Sequence, residues 1–218
     1  MAIPSSVIFK SVIAAGATGG VLGGAYLVTP YVFPKKESIR SKLEKAGWNI
    51  LLHTGRDSEW TAIYEKYKSK ETNDLSKLDG TVTKNESNDT GIPKLKKSCE
   101  SALSKEFSES LYKAAVRWCV TPISVENRLQ HLGGYTKINI DENNTTLDHE
   151  TWKQREVTFK SNSSKNSSDF GITFPASTNN QESNIKEIKK GCKKHLEKKN
   201  YEDDFESSIQ NARNWCNK

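Results

Sequence analysis

The sequence predicts a mainly α protein: an N-terminal transmembrane helix followed by a helical domain made of two diverged tandem repeats with long polar loops. Three observations carry that prediction. Residues Ser11 to Pro34 include no charged side chain, and a stretch of that length suits a bilayer span. Apolar residues in the remainder recur at three- and four-residue spacing, the mark of helices buried along one face. A set of Leu, Gly, Trp and Cys landmarks from the first half returns in the same order in the second. Only 34% of the 218 residues are hydrophobic, so the core must be narrow, which favours packed helices over wide sheets.

The anchor is assigned to residues 1–34, with lipid contact through 11–34. A helix from about Ser5 to Val28 is roughly 35 Å long, against a hydrocarbon core of about 30 Å. Lys10 falls within it and would snorkel toward the headgroups. Gly16, Gly20 and Gly24 form one ridge of small residues, and Ala15, Gly19 and Gly23 form another beside it. Ridges of this kind let membrane helices approach closely, which would allow a homo-oligomer through this helix; the alternative is that small residues are simply common in membrane helices and signal peptides. The competing assignment is a cleaved signal peptide, with Gly23-Gly24-Ala25 as the small-residue site. That site lies inside the apolar run rather than after it, which favours retention. No cysteine stands near the end of the segment, which removes a lipoprotein anchor. Lys35, Lys36, Arg40, Lys42 and Lys45 follow the segment and argue by the positive-inside rule for an inward domain. The cysteines argue for the outside, and long domains translocate with little regard to charge.

The repeats are assigned to residues 35–122 and 123–218. Leu43-x3-Gly47 recurs 86 residues later as Leu129-x3-Gly133. Trp60, closing Asp-Ser-Glu-Trp, recurs 92 residues later as Trp152, closing Asp-His-Glu-Thr-Trp. Cys99 in Leu-Lys-Lys-Ser-Cys returns after 93 as Cys192 in Ile-Lys-Lys-Gly-Cys, and Trp118-Cys119 after 97 as Trp215-Cys216. The offsets drift as loop insertions would make them drift. Trp60, Trp118, Trp152 and Trp215 are therefore the predicted core of the two repeats.

Polar runs at 69–91 and 161–183 fall at the same place in each repeat and are expected to be flexible surface loops. Asn-x-Ser/Thr triplets at Asn85, Asn88, Asn143, Asn144, Asn162 and Asn166 follow from a chain rich in Asn and Ser. Trp60, Ile63, Tyr64 and Tyr67 make one helical stripe, with Asp57 as its expected N-cap. Leu95, Cys99 and Leu103 mark a buried face, as do Leu111, Ala114, Ala115 and Trp118. Ser124 is expected to cap a helix carrying Val125, Leu129 and Leu132. Ile185, Ile188, Cys192 and Leu196 line a further face, and Phe205, Ile209, Ala212 and Cys216 the last. Strand signals are limited to Tyr135–Ile140 and Val157-Thr-Phe.

Four cysteines admit three arrangements. Cys99 pairs with Cys119, and Cys192 with Cys216, if each segment is a helical hairpin turning near Glu109 and Asp204. If each segment is one straight helix, its cysteines stand roughly 30 Å apart and are small core residues. Zinc is the third arrangement, but Cys192-x2-His195 is the one short ligand pair, and Ala102 replaces the histidine in the first repeat. Disulfides would require an oxidising compartment.

Chemistry is sparse. Of 33 basic residues only Lys10 precedes the segment's basic flank, and 27 acidic residues oppose them. Such a mixed surface gives no nucleic-acid groove. His53, His131, His149 and His195 stand beside no nucleophile motif, and the Gly-Gly pairs lie in the apolar segment rather than after a strand. No catalytic residue, cofactor or metal is expected, and the protein is read as not an enzyme.

Three features together resemble a known group: the short apolar N-terminus, Leu51-Leu52-x-Thr54 followed by Trp60, and Arg117-Trp118-Cys119 followed by Val-Thr-Pro. The chain resembles the paralogous families of uncharacterised membrane-anchored surface proteins of haemotropic mycoplasmas. Asn214-Trp215-Cys216 departs from Arg-Trp-Cys, so the second repeat is the more diverged. The resemblance implies a single-pass cell-membrane location, antigenic variation or contact with the host-cell surface, and no catalytic residue to carry over. The alternative expectation is an inward-facing membrane scaffold.

Overall fold

The computed structural model describes residues 36–71, 74, 76–174 and 180–218. The proposed anchor, with Gly16, Gly20 and Gly24, lies outside the described residues. Among those described, no helix is long and apolar enough to cross a membrane.

Backbone hydrogen bonds and short-range caps build nine helices from the described residues: α1 (Ile39–Lys45), α2 (Asp57–Lys68), α3 (Asn88–Ser104), α4 (Glu109–Trp118), α5 (Val125–Leu132), α6 (His149–Lys160), α7 (Ser163–Phe170), α8 (Gln181–Glu197) and α9 (Phe205–Trp215). The mainly α expectation holds. Ser38 caps α1 by accepting from the Ser41 N–H, and Ser124 caps α5 by accepting from the Asn127 N–H, each at 3.2 Å. A serine hydroxyl there satisfies a donor that the first turn leaves without a partner. Both helices stop at a glycine in the left-handed region, Gly47 at φ +73° and Gly133 at φ +75°. That region costs a glycine nothing and a larger residue about 1–2 kcal/mol.

The tie bonds between elements recur with second partners. Ile39 N–H donates to Lys105 O and Phe107 N–H to Glu37 O, fastening the start of α1 to the α3–α4 turn. Val125 N–H donates to Lys198 O and Asn200 N–H to Ile123 O, fastening α5 to the α8–α9 turn in the same way. Leu51 N–H to Cys119 O and Thr121 N–H to Asn49 O return as Ile138 N–H to Cys216 O and Lys218 N–H to Thr136 O. The packing partners also match: α2 lies on α3 as α6 lies on α8, and α1 meets α3 and α4 as α5 meets α8 and α9. Helix α7 has no counterpart in the first half. Residues 36–218 nevertheless share one compact body, whose core includes Trp60, Trp118, Trp152, Tyr64, Tyr67, Phe159 and Phe170.

Several expectations need correction. Asp57 is the first residue of α2 rather than its cap, a place taken by Arg56 without a side-chain bond. The Ser124-capped helix carries Val125, Leu129 and Leu132 as expected, with Leu132 at its end 46% exposed. Val157-Thr-Phe is helical, with Val157 exposed and Phe159 buried. The described part of 69–91 is not a free loop. Val82 is fully buried, Lys77 donates to its carbonyl, and α3 has begun by Asn88. The second polar run contains α7, held down by buried Phe170, and the first turn of α8.

Candidate functional site

Each half carries the same arrangement of cysteines, tryptophan and lysine. Cys99 and Cys119 stand at disulfide distance with Cα atoms 5.4 Å apart, and Cys192 and Cys216 do so at 5.6 Å, within the span a bridge requires. All four are buried to 1% exposure or less. The straight-helix arrangement fails because α3 stops at Lys105 and α8 at Lys198, where the backbone turns extended. Each segment is a hairpin, turning close to the expected Glu109 and Asp204.

The Trp60 indole N–H donates to Leu52 O, and that of Trp152 to Asn139 O, both at 2.8 Å. Each tryptophan thus anchors the loop that precedes its own helix. Over each ring lies a lysine that periodicity does not reveal. Lys96 Nζ sits 5.5 Å from the Trp60 ring and donates to His53 O. Lys189 Nζ sits 5.7 Å from the Trp152 ring and donates to Asp141 O and Asn144 O. Each ammonium is held on an aromatic face and capped by carbonyl oxygen; Lys96 also lies 3.9 Å from Asp57, whereas among the described residues no carboxylate pairs with Lys189. The signal was present as the lysine three residues before Cys99 and Cys192, but lysine is too common in this chain for that to stand out. Trp118 is fully buried, meets Tyr67 edge-on at 5.1 Å and donates to Ser76 O. Burial pushes the Tyr67 hydroxyl up to about 12. Trp215 is partly buried, against Phe159.

His195 is not a solvated histidine and faces no metal ligand set. Among the described residues no cluster of three His, Cys, Asp or Glu side chains is placed to hold a metal. Its Nδ1 is 2.8 Å from Ser208 Oγ and its Nε2 is 3.0 Å from Phe170 O, and its ring stacks on Phe170 at 4.7 Å. The carbonyl accepts only, so Nε2 carries a proton, and the serine hydroxyl can donate to Nδ1 of the neutral ring that burial favours. Burial holds its pKa below the ordinary histidine value, with the Phe170 carbonyl and Asp204 opposing and Lys194 and Lys198 reinforcing. The unfolded chain therefore takes the proton first. Stability from this group is complete above the unfolded pKa of about 6.5 and is lost as pH falls through the lower folded value. The melting temperature is expected to drop between pH 7 and pH 5, and to drop less in His195→Gln. Parallel pH profiles for the two proteins would contradict this.

The two halves meet where the end of α4 reaches the α8–α9 turn and where Arg128 of α5 reaches Ala46 and Trp48. Arg117 donates to Tyr201 O at 3.1 Å and pairs with Asp203, which Lys70 also holds. Those two cations keep the Asp203 carboxyl below its ordinary range. Beside this junction runs a groove of about 1160 Å³ with largely apolar walls, among them Trp48, Tyr112, Leu132, Phe205 and Ile209. Arg128 forms part of its wall. Trp48 closes the Leu43-x3-Gly47-Trp48 landmark, whose aromatic in the second half is Tyr135; Arg128 is not a landmark, and its place in the groove does not follow from the repeat. His149 lies 3.4 Å from Glu182, away from the groove. No family model, curated protein or solved structure matches this chain.

Proposed function

We propose that the protein is a non-enzymatic, single-pass membrane-anchored surface protein. Its domain, two diverged copies of one four-helix unit, stands on the outer face of the cell membrane as a host-facing, antigenically variable display. One observation carries this reading: all four cysteines are buried and paired within their own halves at disulfide distance. Four cysteines in two matching pairs suit an oxidising compartment, since reducing cytosol keeps thiols apart. The resemblance to the surface families of haemotropic mycoplasmas and the uncharged stretch Ser11 to Pro34 agree with it.

A second reading, an inward-facing scaffold lying on the lipid headgroups, is favoured by the basic flank. Its cations are partly committed within the domain: Lys36 pairs with Glu106, and Lys42 and Lys45 with Glu37. The test is mass-tagging of free thiols in native membranes without reductant, together with protease treatment of intact cells. The surface reading expects all four cysteines blocked and the domain released by protease. Labelling of all four, with the domain untouched, supports the scaffold instead.

A further inference from the structure

We propose that the groove between the two halves binds a small amphiphile with a single anionic head, carboxylate or phosphate monoester. The head lies on Arg128 and the apolar body along Trp48, Phe205 and Ile209. This inference does not depend on which side of the membrane the domain occupies.

Arg128 is only 6% exposed. Its Nη2 donates to Ala46 O at 3.1 Å and its guanidinium lies flat on Trp48, 3.9 Å from the ring centre. Its Nη1 is buried with no hydrogen-bond partner, and among the described residues no carboxylate lies within 4.0 Å of it. A buried cation without its anion is costly, and an apolar side chain of similar size usually packs as well or better. The cost is not one the architecture demands. The serine caps and the helix-ending glycines put Lys42 of α1 in the place of Arg128, 86 residues earlier, and Lys42 is exposed and faces Glu37 at 3.8 Å. The other groove cations are occupied, Arg117 by Asp203 and Lys113 by Glu109. Arg128 is therefore the position left for an external anion, and a guanidinium is the side chain best matched to a carboxylate or phosphate.

The remaining walls supply the apolar half of the ligand. The groove volume is of the order of small-molecule clefts, and Leu132 presents an exposed apolar side chain at its rim. Trp48 covers the guanidinium and packs 6.4 Å from Phe205. It donates no side-chain hydrogen bond to the described residues, unlike Trp60, Trp118 and Trp152. Packing and the Arg128 guanidinium hold the ring, so an arriving head group competes with it for the cation. Glu206, an exposed carboxylate of the groove, competes through space for Arg128 and sets the charge that the ligand must outweigh.

The full chain in lipid nanodiscs is titrated with octanoate, octyl phosphate and octanol by calorimetry, and the thermal stability of each variant is recorded. Saturable one-to-one binding of at least one anion is expected, with octanol much weaker. The anion with the higher affinity identifies the head group. Arg128→Met is expected to weaken that anion roughly tenfold or more while leaving the melting temperature unchanged or higher. Glu206→Gln is expected to tighten it severalfold, and Trp fluorescence is expected to shift on binding in the wild type but not in Trp48→Phe. Equal affinity of octanol and the anions, an unchanged affinity in Arg128→Met, or no saturable binding overturns the proposal. So does a large loss of stability in Arg128→Met, which would make the arginine a packing residue.

Discussion

Replacing Cys99 and Cys119 together by alanine is expected to cost about 3 kcal/mol of stability, and replacing Cys192 and Cys216 about the same. The bridges close segments of 20 and 24 residues, and a loop-entropy cost that grows with the logarithm of length makes these nearly equal, within about 0.2 kcal/mol. For a domain of this size each loss lowers the melting temperature by about 6–12 °C. Removing both bridges costs about 6 kcal/mol, a sum comparable with the whole stability of many domains. The quadruple variant should be largely unfolded near 37 °C, and the wild type in strong reductant should melt with it. Backbone bonds, Leu51 N–H to Cys119 O and Ile138 N–H to Cys216 O, tie the end of each hairpin to an earlier loop, but they do not join its two arms and cannot replace a covalent closure. A loss below about 1 kcal/mol for either pair would show that the bridge is absent in solution or that its closure is already imposed on the unfolded chain.

The sequence carried the parts of this fold that depend on order and spacing. Trp60 and Trp152, the cysteine pairs, the Ser124 cap and the hairpin turns are each legible because a rare residue or a periodic stripe marks them. What was hidden depends on single side chains that meet across the chain. Val82 is one apolar residue in a polar run and has no period, yet with the Tyr67 hydroxyl and the Trp118 indole it pins a segment that reads as a loop. Helix α7 is written Ser-Ser-Lys-Asn-Ser-Ser-Asp-Phe, residues that prefer turns to helix interiors, and it is held in place by Phe170 at its end. Lys96 and Lys189 are two among many lysines until the rings beneath them are seen. Arg128 is the hardest case. The duplication itself points to an ordinary surface lysine at that position, and only the contact between the halves makes it a buried cation.

That asymmetry between matched positions makes the tryptophans the sharpest measure of how far the halves have diverged. Trp60→Ala, Trp118→Ala and Trp152→Ala each empty a fully buried site and are expected to cost about 3–5 kcal/mol. Trp152 is expected to be the costliest of the matched pair. Its removal strips the aromatic face from Lys189, which is 2% exposed. The side chain of Lys96 is 20% exposed and can swing outward when Trp60 is lost. Both substitutions also leave a loop carbonyl, Leu52 O or Asn139 O, without its indole donor, worth about 1 kcal/mol each. Trp215→Ala is expected to cost only about 1–2 kcal/mol, since a half-buried ring gives up part of a full burial. Urea midpoints at constant slope would rank them. Equal costs at Trp118 and Trp215 would mean that the second half closes over its tryptophan in solution, as the first half does over Trp118.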